Sequence, residues 1–169
     1  MAICPQTLAG IALDCTTSQG GIKKAWIADY SSVSKPTVSG DKITAIDNIS
    51  QFKPYEFRRG TASYNETLTA DETTGNNYVT QELSLVFTKK DTAKRIEMAA
   101  LSIGQLAVIF LDNNGVYFYM GYDDYVSASA GGSESGVAKS DRNAYTITLK
   151  TESATYAYEI EASALEDLE

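Results

Sequence analysis

The strongest constraint on this chain is a helical pattern that runs directly into two apolar strands, between residues 91 and 125. Asp91 and Thr92 carry the short polar side chains that cap free N–H groups at a helix start. Ile96, Ala99, Ala100 and Ile103 follow at helical spacing. They predict a helix over 92–103 whose apolar stripe packs on a sheet. Gly104 stands where a helix stops, where glycine takes the left-handed conformation at little cost. The run from Gln105 to Asp112 is too apolar for a strand with one face in water. Asn113-Asn114-Gly115 signals a turn, and Val116 to Tyr122 returns as an aromatic strand.

The remaining chain reads as strands. Residues 1–20 mix short apolar runs with Thr, Ser and Gly, and are expected to form an extended arm or a short edge strand. Residues 22–29 read as a strand that places Trp26, the only tryptophan, in the core. Residues 30–41 read as a loop and 43–46 as a short strand. Residues 54–88 alternate in the manner of one long antiparallel hairpin with a polar tip at 71–77. Its part from 62 to 81 is too polar on both faces for a core and is expected to project. Residues 127–140, rich in Ser, Ala and Gly, bury too little apolar surface to order themselves, which predicts a flexible loop. Strands follow at 144–150 and 155–161, and then an acidic end, 162–169, that reads as a short helix or a frayed tail. Eight or nine strands and one helix in a single domain, 1–169, imply a mainly β fold: an antiparallel β-sandwich or open barrel with one flanking α-helix.

Composition removes several chemistries. The chain has no histidine, which excludes Ser-His-Asp and Cys-His catalysis and every His-containing metal site. Cys4 and Cys15 are the only cysteines; they do not make a CxxC pair, and two free thiols are expected. The N-terminal residues lack the basic start and apolar core of a signal peptide. No run reaches the length of a membrane span. The net charge is −8. Residues 1–85 hold 7 Lys/Arg and 9 Asp/Glu, a balance of −2; residues 86–169 hold 7 and 13, a balance of −6. An acidic surface of this kind opposes specific nucleic-acid binding.

Candidate sites for chemistry are weak. Asp123-Asp124 could join a cation site if further oxygen ligands converged. The stretch from Asp112 to Asp123 fails the calcium-loop pattern, however, because Tyr117 occupies its glycine position. Glu159 and Glu161 share a strand face, as paired glycosidase carboxylates do, but an exposed acidic face is the favoured reading. Gly131, Gly132 and Gly136 are followed by neither Lys-Ser/Thr nor a helix and make no phosphate cradle. No catalytic residue, cofactor or metal is expected, and the chain reads as no enzyme.

Three stretches, 54–88, 91–111 and 136–149, carry a likeness of pattern. Through them the chain resembles bacteriophage tail tube proteins, and with them the tubes of type VI secretion systems. The resemblance implies two packed antiparallel sheets with a flanking helix. It implies self-assembly into rings of six, sheets joining edge to edge around a channel, and rings stacked through loops, long hairpins and terminal arms. DNA would pass through without specific binding, the other partners would be virion proteins, and no membrane would be involved. The protein would be made in the host cytoplasm and act in the virion. Expected assembly contacts on the hairpin are Tyr64, Glu66, Asp71, Asn76, Asn77 and Tyr78. Candidate carboxylates for a lumen face are Glu152, Glu159 and Glu161. Two other readings stand beside this one. One is a different virion component, such as a capsid decoration or head–tail joining protein. The other is a carbohydrate-binding β-sandwich that stacks sugar on Tyr117, Tyr119 and Tyr122.

Overall fold

A computed structural model describes residues 7–168. The fold is mainly β, two sheets with one flanking helix. Among the described residues there are eleven strands: β1 (Ile22–Asp29), β2 (Thr37–Ser39), β3 (Lys42–Ala45), β4 (Lys53–Tyr55), β5 (Ser63–Asp71), β6 (Asn76–Thr88), β7 (Leu106–Asp112), β8 (Tyr117–Met120), β9 (Ser127–Glu134), β10 (Ala144–Ser153) and β11 (Tyr158–Ile160). The helix α1 spans Thr92–Ile103. Seven strands form one sheet in the order β2-β3-β11-β8-β7-β1-β4. Four form the other, β5-β6-β10-β9.

Strand β7 explains why its sequence is apolar throughout. Its alternate residues feed two cores. Leu106, Val108 and Phe110 face the four-stranded sheet, where they meet Leu83, Leu85, Ile147 and Leu149. Ala107, Ile109 and Leu111 face the opposite side with Trp26, Tyr119 and Ile160. The segment carrying Ile46, Ile49 and Phe52 covers that second side, helped by Leu165 and Leu168. Each fully buried aliphatic side chain contributes roughly 1.5–3 kcal/mol, so a strand buried on both faces anchors the whole sandwich. Trp26 is buried, with its ring 5.9 Å from that of Tyr117.

Several expectations change. The helix begins as expected, with the Asp91 carboxylate accepting from the Lys94 N–H at 2.8 Å, but it faces the other way. Leu101 is its buried residue and Met98 packs beside it. Ile96 and Ile103 are 56% and 87% exposed, and Ala99 and Ala100 are exposed with them. At about 100° per residue these four lie opposite Leu101 and Met98, so the apolar stripe points into solvent. Gly104 is extended (φ −74°, ψ 150°) rather than left-handed. Its glycine serves close packing: a Cβ would sit 2.9 Å from Leu106 Cδ2 and 3.1 Å from the Ala100 carbonyl.

The stretch expected as a flexible loop over 127–140 is instead strand β9 as far as Glu134, paired with β10 from Ala144↔Glu134 to Lys150↔Ser127. Its small residues hold the ladder through backbone bonds, to which composition is blind. Residues 54–88 are not one hairpin. β4 belongs to the seven-stranded sheet, and the hairpin proper is β5–β6. The last predicted strand shrinks to Tyr158–Ile160, and Thr37–Ser39 adds a strand within the expected loop. Residues 7–20 form no regular element and are exposed. Cys15 is exposed and unpaired among the described residues, and Cys4 lies outside them.

Candidate functional site

The two sheets end differently. The seven-stranded sheet is bounded by β2 and β4, each three residues long, and β4 carries Pro54, which has no N–H to offer a further strand. Such edges resist pairing. The four-stranded sheet is bounded by β5, nine residues, and β9, eight residues. Among the described residues β5 pairs only with β6, and β9 only with β10. Neither contains proline or lysine, the residues that usually guard an edge.

Register fixes the two faces of this sheet, because directly opposed residues in antiparallel strands point the same way. Tyr64, Leu83 and Leu149 face the other sheet. The outer face therefore carries Asn65 with Glu82 and Lys150, Thr67 with Thr80 and Glu152, and Ser84 with Thr148 and Ala130. Farther along the same face Val86 lies opposite Thr146, and Thr88 opposite Ala144 and Glu134. It is a surface of small hydroxyls with three carboxylates and one ammonium group, and with two guanidinium groups at one end, Arg142 bound to Glu134 and Arg58 donating to the Thr88 hydroxyl. Lys150 Nζ lies 3.4 Å from Glu152 Oε1.

The distal hairpin, 67–78, is exposed on both faces, and Leu68 and Tyr78 stand out from it at 53% and 39% exposure. Its tip closes on Asp71: the Thr73 N–H donates to Asp71 Oδ1 at 2.8 Å, and the Gly75 N–H donates to the Asp71 carbonyl at 2.8 Å. The Thr73 and Thr74 bonds hold the Asp71 carboxyl below its ordinary range. Of the six expected assembly contacts, Asp71, Asn76, Asn77 and Tyr78 are on this exposed part. Tyr64 and Glu66 are not. The Tyr64 ring packs 4.2 Å from the Phe110 ring, and its hydroxyl donates to Glu66 Oε1 at 2.7 Å. The same oxygen accepts from the Ala157 N–H at 2.6 Å. Glu66 thus ties the base of the hairpin to the β10–β11 connection. Burial, with the Glu66 carboxylate beside it, pushes the Tyr64 hydroxyl well above the usual tyrosine range.

The three candidate lumen carboxylates do not share a face. Glu152 is on the outer face of the four-stranded sheet, but Glu159 belongs to the seven-stranded sheet, bound to Lys42 Nζ at 2.7 Å, and Glu161 follows it. Glu82 and Glu134 are the other carboxylates of the outer face. The strand parity of Glu82 relative to Leu83 places it there.

The three tyrosines do not form an exposed stacking row. Tyr119 is buried edge-on against Phe52, Tyr117 leans on Trp26, and Tyr122 meets Tyr158. Asp123 is engaged internally: the Ser153 hydroxyl donates to it at 2.6 Å and the Ala154 N–H at 3.0 Å, and Lys35 lies at 3.8 Å. The Ser153 bond leads in holding its carboxyl below the usual range. Among the described residues no three acidic or cysteine side chains converge as metal ligands, and no helix is long and apolar enough to cross a membrane. No family model, curated protein or solved structure matches this chain.

Proposed function

We propose that this protein is a self-assembling structural subunit of the tail-tube kind, a virion component whose four-stranded sheets join edge to edge into a ring around a DNA-conducting channel. The observation that carries the reading is the contrast between the two sheets. One has three-residue edges, one of them blunted by proline; the other has two long unguarded edges and an uncovered polar face. In a solitary protein long open edges are a liability, and in a ring each is satisfied by the next copy. Pairing β5 of one copy with β9 of its neighbour continues the ladder and closes it at six copies. The outer face then lines the channel. Its hydroxyls dominate, and two of its three cationic groups are paired with carboxylates, Lys150 with Glu152 and Arg142 with Glu134, so phosphate meets no cluster of unpaired cations. The exposed hairpin 67–78 is free to reach the next ring.

Negative-stain microscopy and sedimentation test this. The parent chain should form rings or tubes as its concentration rises. Thr67→Lys with Thr69→Lys, both on the exposed edge, should leave the melting curve unchanged and the chain monomeric. A parent that stays monomeric up to millimolar concentration, or a double variant that assembles as the parent does, overturns the reading.

A further inference from the structure

Three features of the molecule meet along strand β9. Its outer backbone edge is open, because among the described residues β9 pairs with β10 alone. An open cleft of about 520 Å³ separates it from α1, and the β9 wall of that cleft is made of small residues such as Ala128, Gly131 and Ser133. Beside the cleft stands the apolar ridge of Ile96 and Ile103, 56% and 87% exposed. An open edge and an uncovered apolar ridge are each a contact left unmade.

Helix geometry sets the ridge over the edge. At about 100° per residue, Leu101 and Met98 point to the core, Arg95, Ser102 and Ala99 follow round the helix toward β9, and Ile96 and Ile103 come next in the same sense of rotation. The ridge therefore overhangs the space just beyond β9, where one more strand would lie about 4.8 Å away. Every second side chain of such a strand would enter the cleft and meet Ile96 and Ile103. A second copy's β5 brings backbone to this edge, but its inward Tyr64 and Glu66 are held inside their own subunit by the Phe110 ring and the Ala157 N–H. The cleft suits a segment whose side chains are free.

Charge indicates the chemistry of that segment. The helix runs antiparallel to β9, so its start lies beside Ser133. Lys90 Nζ is 3.2 Å from Ser133 Oγ and 5.5 Å from the centre of the Tyr145 ring, and Arg95 lines the cleft near the same end. Neither Lys90 nor Arg95 has a carboxylate partner among the described residues. The carboxylates close by are already engaged, Asp91 by Lys94 at 2.8 Å and Glu134 by Arg142. We infer that β9 and α1 form a groove for an extended segment of another protein. The segment adds antiparallel to β9, sends alternate apolar side chains under Ile96 and Ile103, and carries acidic residues at its N-terminal end beside Lys90 and Arg95. Main-chain bonds to the edge supply affinity, and the cleft and its cationic end supply selectivity. A subunit with the groove filled has no free β9 edge and is kept out of a ring. The groove itself stands on the cleft, the ridge and the two cations, none of which the ring reading uses.

Two labelled synthetic peptides test this: acetyl-Glu-Glu-Val-Thr-Val-Thr-Val-Thr-amide, and the same peptide with Lys-Lys in place of Glu-Glu. Each is titrated by fluorescence anisotropy against the full Thr67→Lys, Thr69→Lys chain, which keeps β9 and α1 unaltered. The acidic peptide should bind about tenfold tighter than the basic one, and Lys90→Glu with Arg95→Glu should reverse that order. Ile103→Asp should weaken both peptides about tenfold without moving the melting curve. Amide exchange should slow along 127–134 when the acidic peptide is bound. No binding by either peptide at millimolar concentration, equal binding by both, or slowed exchange along β5 in place of β9 overturns the inference. The ring reading fails separately: a parent chain that never forms rings leaves the peptide result standing, and a parent that forms rings while neither peptide binds sinks only the groove.

Discussion

Replacing Glu66 with alanine distinguishes a carboxylate that holds the subunit together from one that holds subunits to each other. In the fold, one oxygen of Glu66 accepts from the Tyr64 hydroxyl at 2.7 Å and the Ala157 N–H at 2.6 Å. Alanine removes both bonds and strands a half-buried hydroxyl and a backbone donor. A hydrogen bond to a charged group is worth about 1.5–3 kcal/mol, and the half-exposed setting takes the lower part of that range for each, so the loss is about 3–4 kcal/mol. For a chain of this length 1 kcal/mol moves the midpoint by about 2–4 °C, so Glu66→Ala should melt roughly 6–16 °C below the parent. Glu66→Gln keeps an acceptor oxygen and should lose about half as much. Thermal melts with urea titrations measure this, the urea slope staying constant if the native state is otherwise intact. A Glu66→Ala chain that melts with the parent yet no longer assembles would refute the clamp and restore Glu66 as an intersubunit contact.

Two further outcomes are expected. Burial raises the hydroxyls of Tyr64, Tyr55 and Tyr119 above the ordinary tyrosine value, with Glu66 adding to the first and Glu97 to the second. A group whose folded pKa is raised lends stability that is whole below its unfolded value and drains away above it. The urea midpoint should therefore hold steady up to about pH 10 and fall beyond, and Tyr64→Phe should lessen the slope by up to about 1.4 kcal/mol per pH unit. Gly136 sits at φ +67°, and a Cβ there would overlap Asp141, whose carboxylate accepts from the Val137 and Ala138 N–H groups at 2.8 and 2.7 Å. Gly136→Ala should cost about 1–3 kcal/mol in the same melts, and an unchanged midpoint would show that the turn relaxes freely.

What could be read in advance follows from where the physics is local. The Asp91 cap, the strand Ile22–Asp29 and the two-sided burial of Leu106–Leu111 depend on neighbours in sequence or on sheer apolarity, and they are plain in the residues. The helix's orientation is not. The apolar stripe at Ile96 and Ile103 satisfies every rule for a core-facing surface, yet Leu101 and Met98 are what the sandwich grips. Strand β9 is not legible in the residues because its strand character comes from the backbone ladder with β10, while its small side chains add only such contacts as Ala128 on the core and the Ser129 hydroxyl on the Thr148 carbonyl. The polarity of its stretch puts Glu66 on a projecting surface. Its parity with Tyr64 and Gln81, both facing inward, was the signal that it turns toward the core.

The order of the seven-stranded sheet has a consequence for how the chain comes to its fold. β11, three residues long, is the stitch between β8 and the β2–β3 hairpin, and among the described residues it is the only strand that β3 pairs with besides β2. The Lys42–Glu159 bridge joins residues 117 apart in sequence. Ile43, with no exposed surface, therefore waits for Ile160 before it is covered. Loop closure over such a separation slows folding. The β5–β6 hairpin, closed by a short turn, can form far sooner. The edge on which assembly would depend is then among the first structures to exist, and the body that gives it an inside and an outside is among the last.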